Sequence, residues 1–126
     1  MEPEVITGPG MPKALGPYSH VVRLGDTLYI SGQPGIDPAT GQPPSGFGAE
    51  ARQAFTNLKT VLEAAGSSMD RVAKVTVFLT DANNFGQLNE LFGEFFATRP
   101  PARSTPIVGL PRGLLISIDA IAGTQS

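Results

Sequence analysis

Residues 100–106 read PPARSTP, and they precede an apolar segment, IVGL, at residues 107–110. Proline fixes its own φ and drives the residue before it into extended geometry. The backbone that carries Arg103 is therefore predicted to be stiff and extended. A guanidinium group is a planar fork of N–H donors that matches a carboxylate or a phosphate. Two interpretations of the stretch stay open: an anion site at Arg103, or a solvated arginine where a strand begins, which is the plainer interpretation and the one that composition alone favours.

Periodicity on either side of this stretch predicts the remaining elements. Alternating apolar residues predict strands, and apolar residues at i+3 and i+4 predict two helices. Gly25-Asp26 is typical of a tight hairpin turn, Gly66 stops the first helix, and Asn84 with Gln87 resembles a capping box for the second. The predicted elements are, in chain order, a short strand at 4–6, strands at 20–24 and 27–31, a loop at 32–48, a helix from about 49 to 65, a strand at 71–80, a second helix ended by Pro100 and Pro101, and strands at 102–110 and 114–122.

This order predicts one α+β domain over residues 1–126, in which a single mixed sheet carries both helices on one face. Strand parity leaves the other face too apolar to be solvated and too polar for an ordinary core. We therefore expect a homo-oligomer that packs sheet faces together; the alternative is a monomer with scattered apolar surface residues. The residues predicted on this open face are Tyr29, Ser31, Phe78, Leu115, Asp119 and Ile121.

Asp119 lies in the middle of the apolar last strand, where aspartate is uncommon. A buried carboxylate is normally paired, and Arg103 is the candidate partner. Two interpretations stay open: a structural ion pair, or a carboxylate that activates water beside an anion held by the arginine.

Composition excludes several classes of function. The formal net charge of −2 gives no basic surface for nucleic acid, so nucleic-acid binding is not expected. No apolar run is long enough to span a membrane. The absence of cysteine and the single histidine, His20, argue against a metal site and against a thiol nucleophile, and they suit a cytoplasmic protein.

Three further places are candidate ligand contacts. Tyr18 can line a pocket or pack as an edge aromatic residue, and Asn89 on the second helix can face solvent or a groove between subunits. Ser31-Gly32 ends a strand, where glycine permits close approach to the backbone. No histidine–aspartate relay accompanies Ser31, so a serine triad is not expected.

The ordered set of motifs resembles the Rid family, also called YjgF-like or L-PSP endoribonuclease-like. The residues that carry the resemblance are Gly16-Pro17-Tyr18, Tyr29-Ile30-Ser31-Gly32-Gln33, Thr76-Val77-Phe78-Leu79, Leu88-Asn89, Pro101-Ala102-Arg103-Ser104 and Ile118-Asp119-Ala120-Ile121-Ala122. The resemblance implies the fold of chorismate mutase from bacilli, assembled as a homotrimer with clefts between subunits. It also implies cofactor-free hydrolysis of enamines and imines, such as 2-aminoacrylate, to 2-keto acids and ammonia.

By the same resemblance, Arg103 matches the arginine that grips the substrate carboxylate. Asp119 stands where the deaminases have a glutamate that positions the attacking water, and its side chain is one methylene shorter. The positions that match the pocket, or lie beside Arg103 in its motif, are Tyr18, Ser31, Gly32, Asn89, Ser104 and Thr105. A carboxylate-bearing imine or 2-keto acid is therefore the expected small-molecule partner. A non-catalytic carboxylate-binding module and, less favoured, a ribonuclease are the competing hypotheses.

Overall fold

The computed structural model describes residues 1–125 and contains six strands and two helices in those residues. The strands are β1 (Glu4–Ile6), β2 (Val21–Leu24), β3 (Thr27–Pro34), β4 (Val72–Leu79), β5 (Ala102–Ser104) and β6 (Ile116–Gly123); the helices are α1 (Phe47–Ala64) and α2 (Phe85–Phe95). Short 3₁₀ turns lie at Met69–Arg71, Ala82–Asn84 and Pro111–Gly113. The predicted α+β class, the two helices and the N-terminal strand are confirmed.

The six strands form one mixed sheet in the order β1-β2-β3-β6-β4-β5. Only β4 and β5 pair in parallel, and the other neighbours are antiparallel. The predicted hairpin joins β2 to β3 through Gly25, whose φ of 63° suits glycine. The connection from β4 to β5 runs through α2, so this helix lies next to the edge strand that carries Arg103.

Both helices cover one face of the sheet, and the core lies between them and alternate strand residues. In β4 Val75, Val77 and Leu79 are buried, as the parity of the sequence predicts, and Val72 is also buried, before a shift in register against β6. On α1 the apolar i+3/i+4 positions are buried, and Phe55 contacts the rings of three phenylalanines at the end of α2. Full burial of each such side chain contributes roughly 1.5–3 kcal/mol, so this layer fixes where α2 sits.

Several predicted boundaries are wrong. β3 continues to Pro34, where a loop from residue 32 was expected, and α1 begins at Phe47 rather than at 49. The strand predicted at 102–110 forms a ladder only at 102–104, because Pro106 has no N–H to donate. Around that proline two backbone hydrogen bonds keep the chain beside β4. Leu79 donates to the carbonyl oxygen of Pro106 at 3.1 Å, and Val108 donates to the carbonyl oxygen of Leu79 at 2.8 Å.

The start of α2 also differs from its prediction. The side chain of Asn84 makes no capping hydrogen bond. Instead, Asp81 accepts from the backbone N–H of Asn83 at 2.9 Å and caps the 3₁₀ turn that precedes the helix. Asp81 therefore stabilises the 3₁₀ turn that leads into α2. Asn84 and Gln87 do not form the predicted capping box.

Gly35 follows β3 where the chain passes against the first turn of α1. A Cβ atom at this position would overlap the backbone carbonyl oxygen of Glu50. We expect Gly35→Ala to lower the free energy of unfolding by about 2–3 kcal/mol, because either the loop or the helix must shift. Urea denaturation measures this change.

The control for this substitution is Gly93→Ala, on the exposed side of α2. A Cβ there meets no atom within 4 Å. Alanine at a helix interior position should raise the free energy of unfolding by about 0.5–1 kcal/mol. Equal effects of the two substitutions would contradict the contact between Gly35 and Glu50.

Candidate functional site

Arg103 lies on the edge strand β5 and points to the helix-covered face of the sheet. Its register partner in the parallel pair is Val75, which is fully buried on that face. The guanidinium carbon lies 5.3 Å from the ring centroid of Phe85 and 4.8 Å from that of Phe92. Both phenylalanines belong to α2, so helix and strand together hold the cation in place.

The guanidinium of Arg103 is half-buried and has no acceptor in residues 1–125. No carboxylate lies within salt-bridge distance of it, and none of its N–H groups donates to a protein oxygen. Burial lowers the pKa of Arg103 from its ordinary value, because desolvation disfavours the charged form. A partly desolvated cation with unused donors is a favourable binding partner for an anion.

Asn89 shares a helix face with the two rings that contact Arg103. Phe85, Asn89 and Phe92 are at positions i, i+4 and i+7, which fall on one side of an α-helix. Asn89 is exposed, so its amide is available on the helix face that carries the two rings. We call Arg103, Asn89, Phe85 and Phe92 the edge cluster.

A second group of polar residues lies on the open face of the sheet, which neither helix covers. The register of β3 against β6 shifts between Ile30 and Gln33, so Ser31 and Gly32 both oppose Asp119 in a β-bulge. One oxygen of Asp119, Oδ1, accepts the backbone N–H of Thr76 at 3.2 Å. We call Ser31, Gly32, Thr76 and Asp119 the open-face cluster.

The open-face cluster is built by close backbone approach. The hydroxyl of Ser31 donates to the carbonyl oxygen of Ser19 at 2.6 Å, which ties β3 to the loop before β2. A Cβ on Gly32 would lie 2.7 Å from Oγ of Ser117, so a larger residue at this bulge would displace that hydroxyl. These contacts present the backbone of residues 31 and 32 on the same surface as the Asp119 carboxylate.

A cavity of about 380 Å³ lies over this surface, and one of its lining residues, Lys74, carries a positive charge. Lys74 lines it together with Ser31, Thr76 and Asp119. The ammonium of Lys74 donates to Oγ of Ser104 at 3.0 Å and to the carbonyl oxygen of Val75 at 3.2 Å. Ser104 is therefore engaged on the open face, away from the guanidinium of its neighbour in sequence.

The ion pair between Arg103 and Asp119, one of the two interpretations of the sequence, does not form in this chain. β4 lies between their strands, which places the two backbones roughly 10 Å apart. Strand parity also sends the two side chains to opposite faces, since Arg103 is in register with Val75 and Asp119 with Thr76. The edge cluster and the open-face cluster are thus separate in one chain.

The other predicted site residues lie around these clusters. Tyr18 is exposed on the loop before β2, where its ring meets His20 edge-to-face with centroids 6.0 Å apart. Thr105 directly follows β5 and is half-buried. His20 is buried, and its Nδ1 lies 3.0 Å from Nε2 of Gln33. Leu115, predicted on the open face, precedes β6 and packs partly against the core.

Sequence reasoning missed three residues that the structure brings to these clusters. Phe85 and Phe92 were assigned only to the apolar face of α2, although their spacing from Asn89 marks a shared helix face. Lys74 was placed on the polar side of β4 and was not considered as a site residue. Residues two apart in a strand lie on the same face, so the sequence already placed Lys74 next to Thr76 on the open face.

Two other kinds of feature are absent from residues 1–125. No group of three or more histidine, aspartate or glutamate side chains has an arrangement that could hold a metal ion. None of the helices in this part of the chain is long and apolar enough to cross a membrane.

The fold and the two clusters define an α+β protein with one mixed sheet and, at its edge, an arginine that has no acceptor within residues 1–125. A profile of the family described as endoribonuclease L-PSP matches residues 9–124. The chain belongs to this family, which is the Rid or YjgF-like family that its motifs resemble.

Individual relatives agree with this assignment. The 2-iminobutanoate/2-iminopropanoate deaminase of Mus musculus is 46% identical over 121 residues, covering 94% of this chain and 90% of the mouse protein. RidA from an Antarctic Psychrobacter superposes with a TM-score of 0.89 at 42% identity, covering 95% of this chain and 98% of that chain. TdcF from E. coli, solved with bound serine, has a TM-score of 0.89 at 36% identity, covering 97% and 99%.

Proposed function

We propose that the protein is a deaminase that hydrolyses enamine and imine intermediates, such as 2-aminoacrylate, to 2-keto acids and ammonia. The observation that carries this proposal is the half-buried guanidinium of Arg103, which has no acceptor in residues 1–125. Such a group suits the carboxylate that every 2-imino acid carries. The names of the mouse relative and of other relatives at similar identity support the same reaction.

Arg103 has the role of fixing the substrate. Its fork makes two charge-assisted hydrogen bonds to the carboxylate, each contributing roughly 1.5–3 kcal/mol. The exposed amide of Asn89, on the same helix face, contacts the substrate beside it. Fixing the carboxylate determines where the adjacent imine carbon lies.

Asp119 has the role of orienting water. Its Oδ1 is held by the backbone N–H of Thr76, and Oδ2 is left to accept a proton from a water molecule. The oxygen of that water bonds to the imine carbon, and the nitrogen is protonated through water. The hydroxyl proton then passes through water to the amine, the C–N bond breaks, ammonia leaves, and the oxygen becomes the keto group.

The two clusters must meet across a subunit boundary for this reaction. In one chain, Arg103 and Asp119 lie on opposite faces of the sheet. We propose a homotrimer in which the edge cluster of one subunit faces the open-face cluster of the next. Tyr18 and the backbone of Ser31 and Gly32 border the cleft, and Thr105 lies beside the arginine.

A carboxylate-binding module without catalysis is the second candidate function. It is favoured by the short side chain of Asp119, one oxygen of which is already engaged by a backbone amide. A carboxylate misplaced by about 1 Å can lose roughly 10²-fold in rate. Ribonuclease activity is less favoured, because a net charge of −2 gives no surface for phosphates.

A coupled assay tests the leading proposal. A pyridoxal-phosphate-dependent dehydratase generates 2-aminoacrylate from serine in the presence of semicarbazide, which traps the imine in competition with hydrolysis. We expect added protein to increase pyruvate release and to decrease semicarbazone formation. If the ratio of the two products is the same with and without the protein, the deaminase proposal is wrong.

A further inference from the structure

We propose that Phe85 and Phe92 are positioning residues, which clamp the guanidinium of Arg103 so that its N–H groups stay oriented and available for the substrate carboxylate. This inference rests on the proposed function for its role in hydrolysis, although the clamp itself is a property of the free protein. Neither phenylalanine would touch the reacting atoms.

The geometry places both rings within cation–π distance of the same group. The guanidinium carbon is 5.3 Å from the Phe85 centroid and 4.8 Å from the Phe92 centroid, inside the ~6 Å limit for this interaction. Phe92 is itself fixed, because it is only 7% exposed and its ring lies 4.7 Å from that of Phe96. Phe85 is 42% exposed and forms the outer side of the clamp.

Contact with ring faces differs from the usual ways of holding an arginine. An ion pair or a bond to a carbonyl oxygen would orient the side chain but would consume its donors. A ring face attracts the cation through its quadrupole, without a conventional acceptor. The clamp therefore restricts the rotamers of Arg103 before the ligand binds, so that less side-chain entropy is lost on binding. It also leaves the N–H donors of the guanidinium unused.

The chain offers a matched control within the same aromatic cluster. Phe95 stacks on Phe55 with centroids 5.0 Å apart, and its ring lies 5.9 Å from the guanidinium carbon of Arg52. Arg52 pairs with Glu94 at 2.9 Å, so its fork is already occupied by a carboxylate. Phe95→Leu removes a ring from the end of α2 that has no cation–π contact with Arg103.

Side-chain NMR tests the clamp in the full-length protein without substrate. We expect the Nε–H group of Arg103 to be ordered in the wild type and mobile in Phe85→Leu, with Phe85→Tyr restoring the order. Phe95→Leu should leave it ordered, and the exposed Arg112 gives the mobile reference. If the Arg103 Nε–H is as mobile as that of Arg112 in the wild type, or stays ordered in Phe85→Leu, the clamp is wrong.

Kinetics then tests whether the clamp serves hydrolysis. Phe85→Leu should raise KM for the imine about tenfold with little change in kcat, and Phe85→Tyr should restore it. Phe92→Leu should act in the same direction, and thermal unfolding shows how much of its effect is loss of fold. An ordered Arg103 in a protein without deaminase activity would reject the proposed function alone. Normal KM with a mobile Arg103 would reject the clamp alone.

Discussion

Arg103→Ala should lower kcat/KM for imine hydrolysis by about 10³-fold while the protein stays folded. The substitution removes two charge-assisted bonds to the substrate carboxylate, worth together roughly 3–6 kcal/mol, and each 1.4 kcal/mol is tenfold. The fold should tolerate the change, because Arg103 makes no hydrogen bond or ion pair within residues 1–125. Steady-state kinetics in the coupled assay measures the loss, and thermal unfolding checks the fold.

Two further variants sharpen this prediction. Arg103→Lys keeps the charge but loses the planar fork, and it should fall between the wild type and the alanine variant. Arg112→Ala removes an exposed arginine outside both clusters and should keep wild-type activity. If Arg103→Ala and Arg112→Ala hydrolyse the imine equally well, Arg103 does not bind the substrate.

Asp119→Asn should lower kcat by about 10²-fold with a small change in KM. An amide cannot take a proton from water, and general-base contributions of this kind are typically 10²–10⁴-fold. Its side-chain oxygen can still accept the N–H of Thr76, so the strand should keep its register. Pre-steady-state and steady-state rates of keto-acid release measure the effect, with the exposed Asp26→Asn as control.

Asp119→Glu separates the two candidate functions. The longer side chain restores the glutamate that the resemblance to the deaminases implies at this position. A rate equal to or above that of the wild type is expected for an enzyme. If wild type and Asp119→Asn both bind 2-oxobutanoate without hydrolysing imines, and only Asp119→Glu hydrolyses them, the natural protein is the binding module.

The fold was predictable where apolar spacing decided it. The alternation through β4 and the i+3/i+4 pattern of α1 gave most of the buried residues, because one helix layer and one sheet layer must bury one side each. The buried Val72 and Glu50 lie outside these patterns. The limits of β3 and β5 were not predictable from these patterns. They depend on a bulge at Ser31-Gly32 and on the missing N–H of Pro106, whose effects appear only when the neighbouring strands are in register.

Two candidate site residues, Arg103 and Asp119, could be named from the sequence, but the arrangement of the site could not. Arg103 and Asp119 stood out because a stiffly held arginine and a mid-strand aspartate are unusual. Their separation by β4 could not be deduced, since the strand order places the last strand inside the sheet. The sequence did not predict the clamp by Phe85 and Phe92, because a phenylalanine on an amphipathic helix usually indicates a residue of the hydrophobic core.

The open face of the sheet carries exposed Tyr29 and Ile121 around the open-face cluster. Apolar residues next to partly buried polar groups are typical of a surface that another copy of the chain covers. This supports the proposed homotrimer, which sedimentation equilibrium measures directly. A monomer at micromolar concentration would contradict the shared cleft.

Because the edge cluster and the open-face cluster lie on opposite faces, each chain would lend one half of a cleft to each neighbour. A substitution of Arg103 and a substitution of Asp119 would then affect opposite sides of every subunit interface. Two inert gene products, one lacking each group, would reconstitute some intact clefts when produced together in one cell, whereas either product alone would have none.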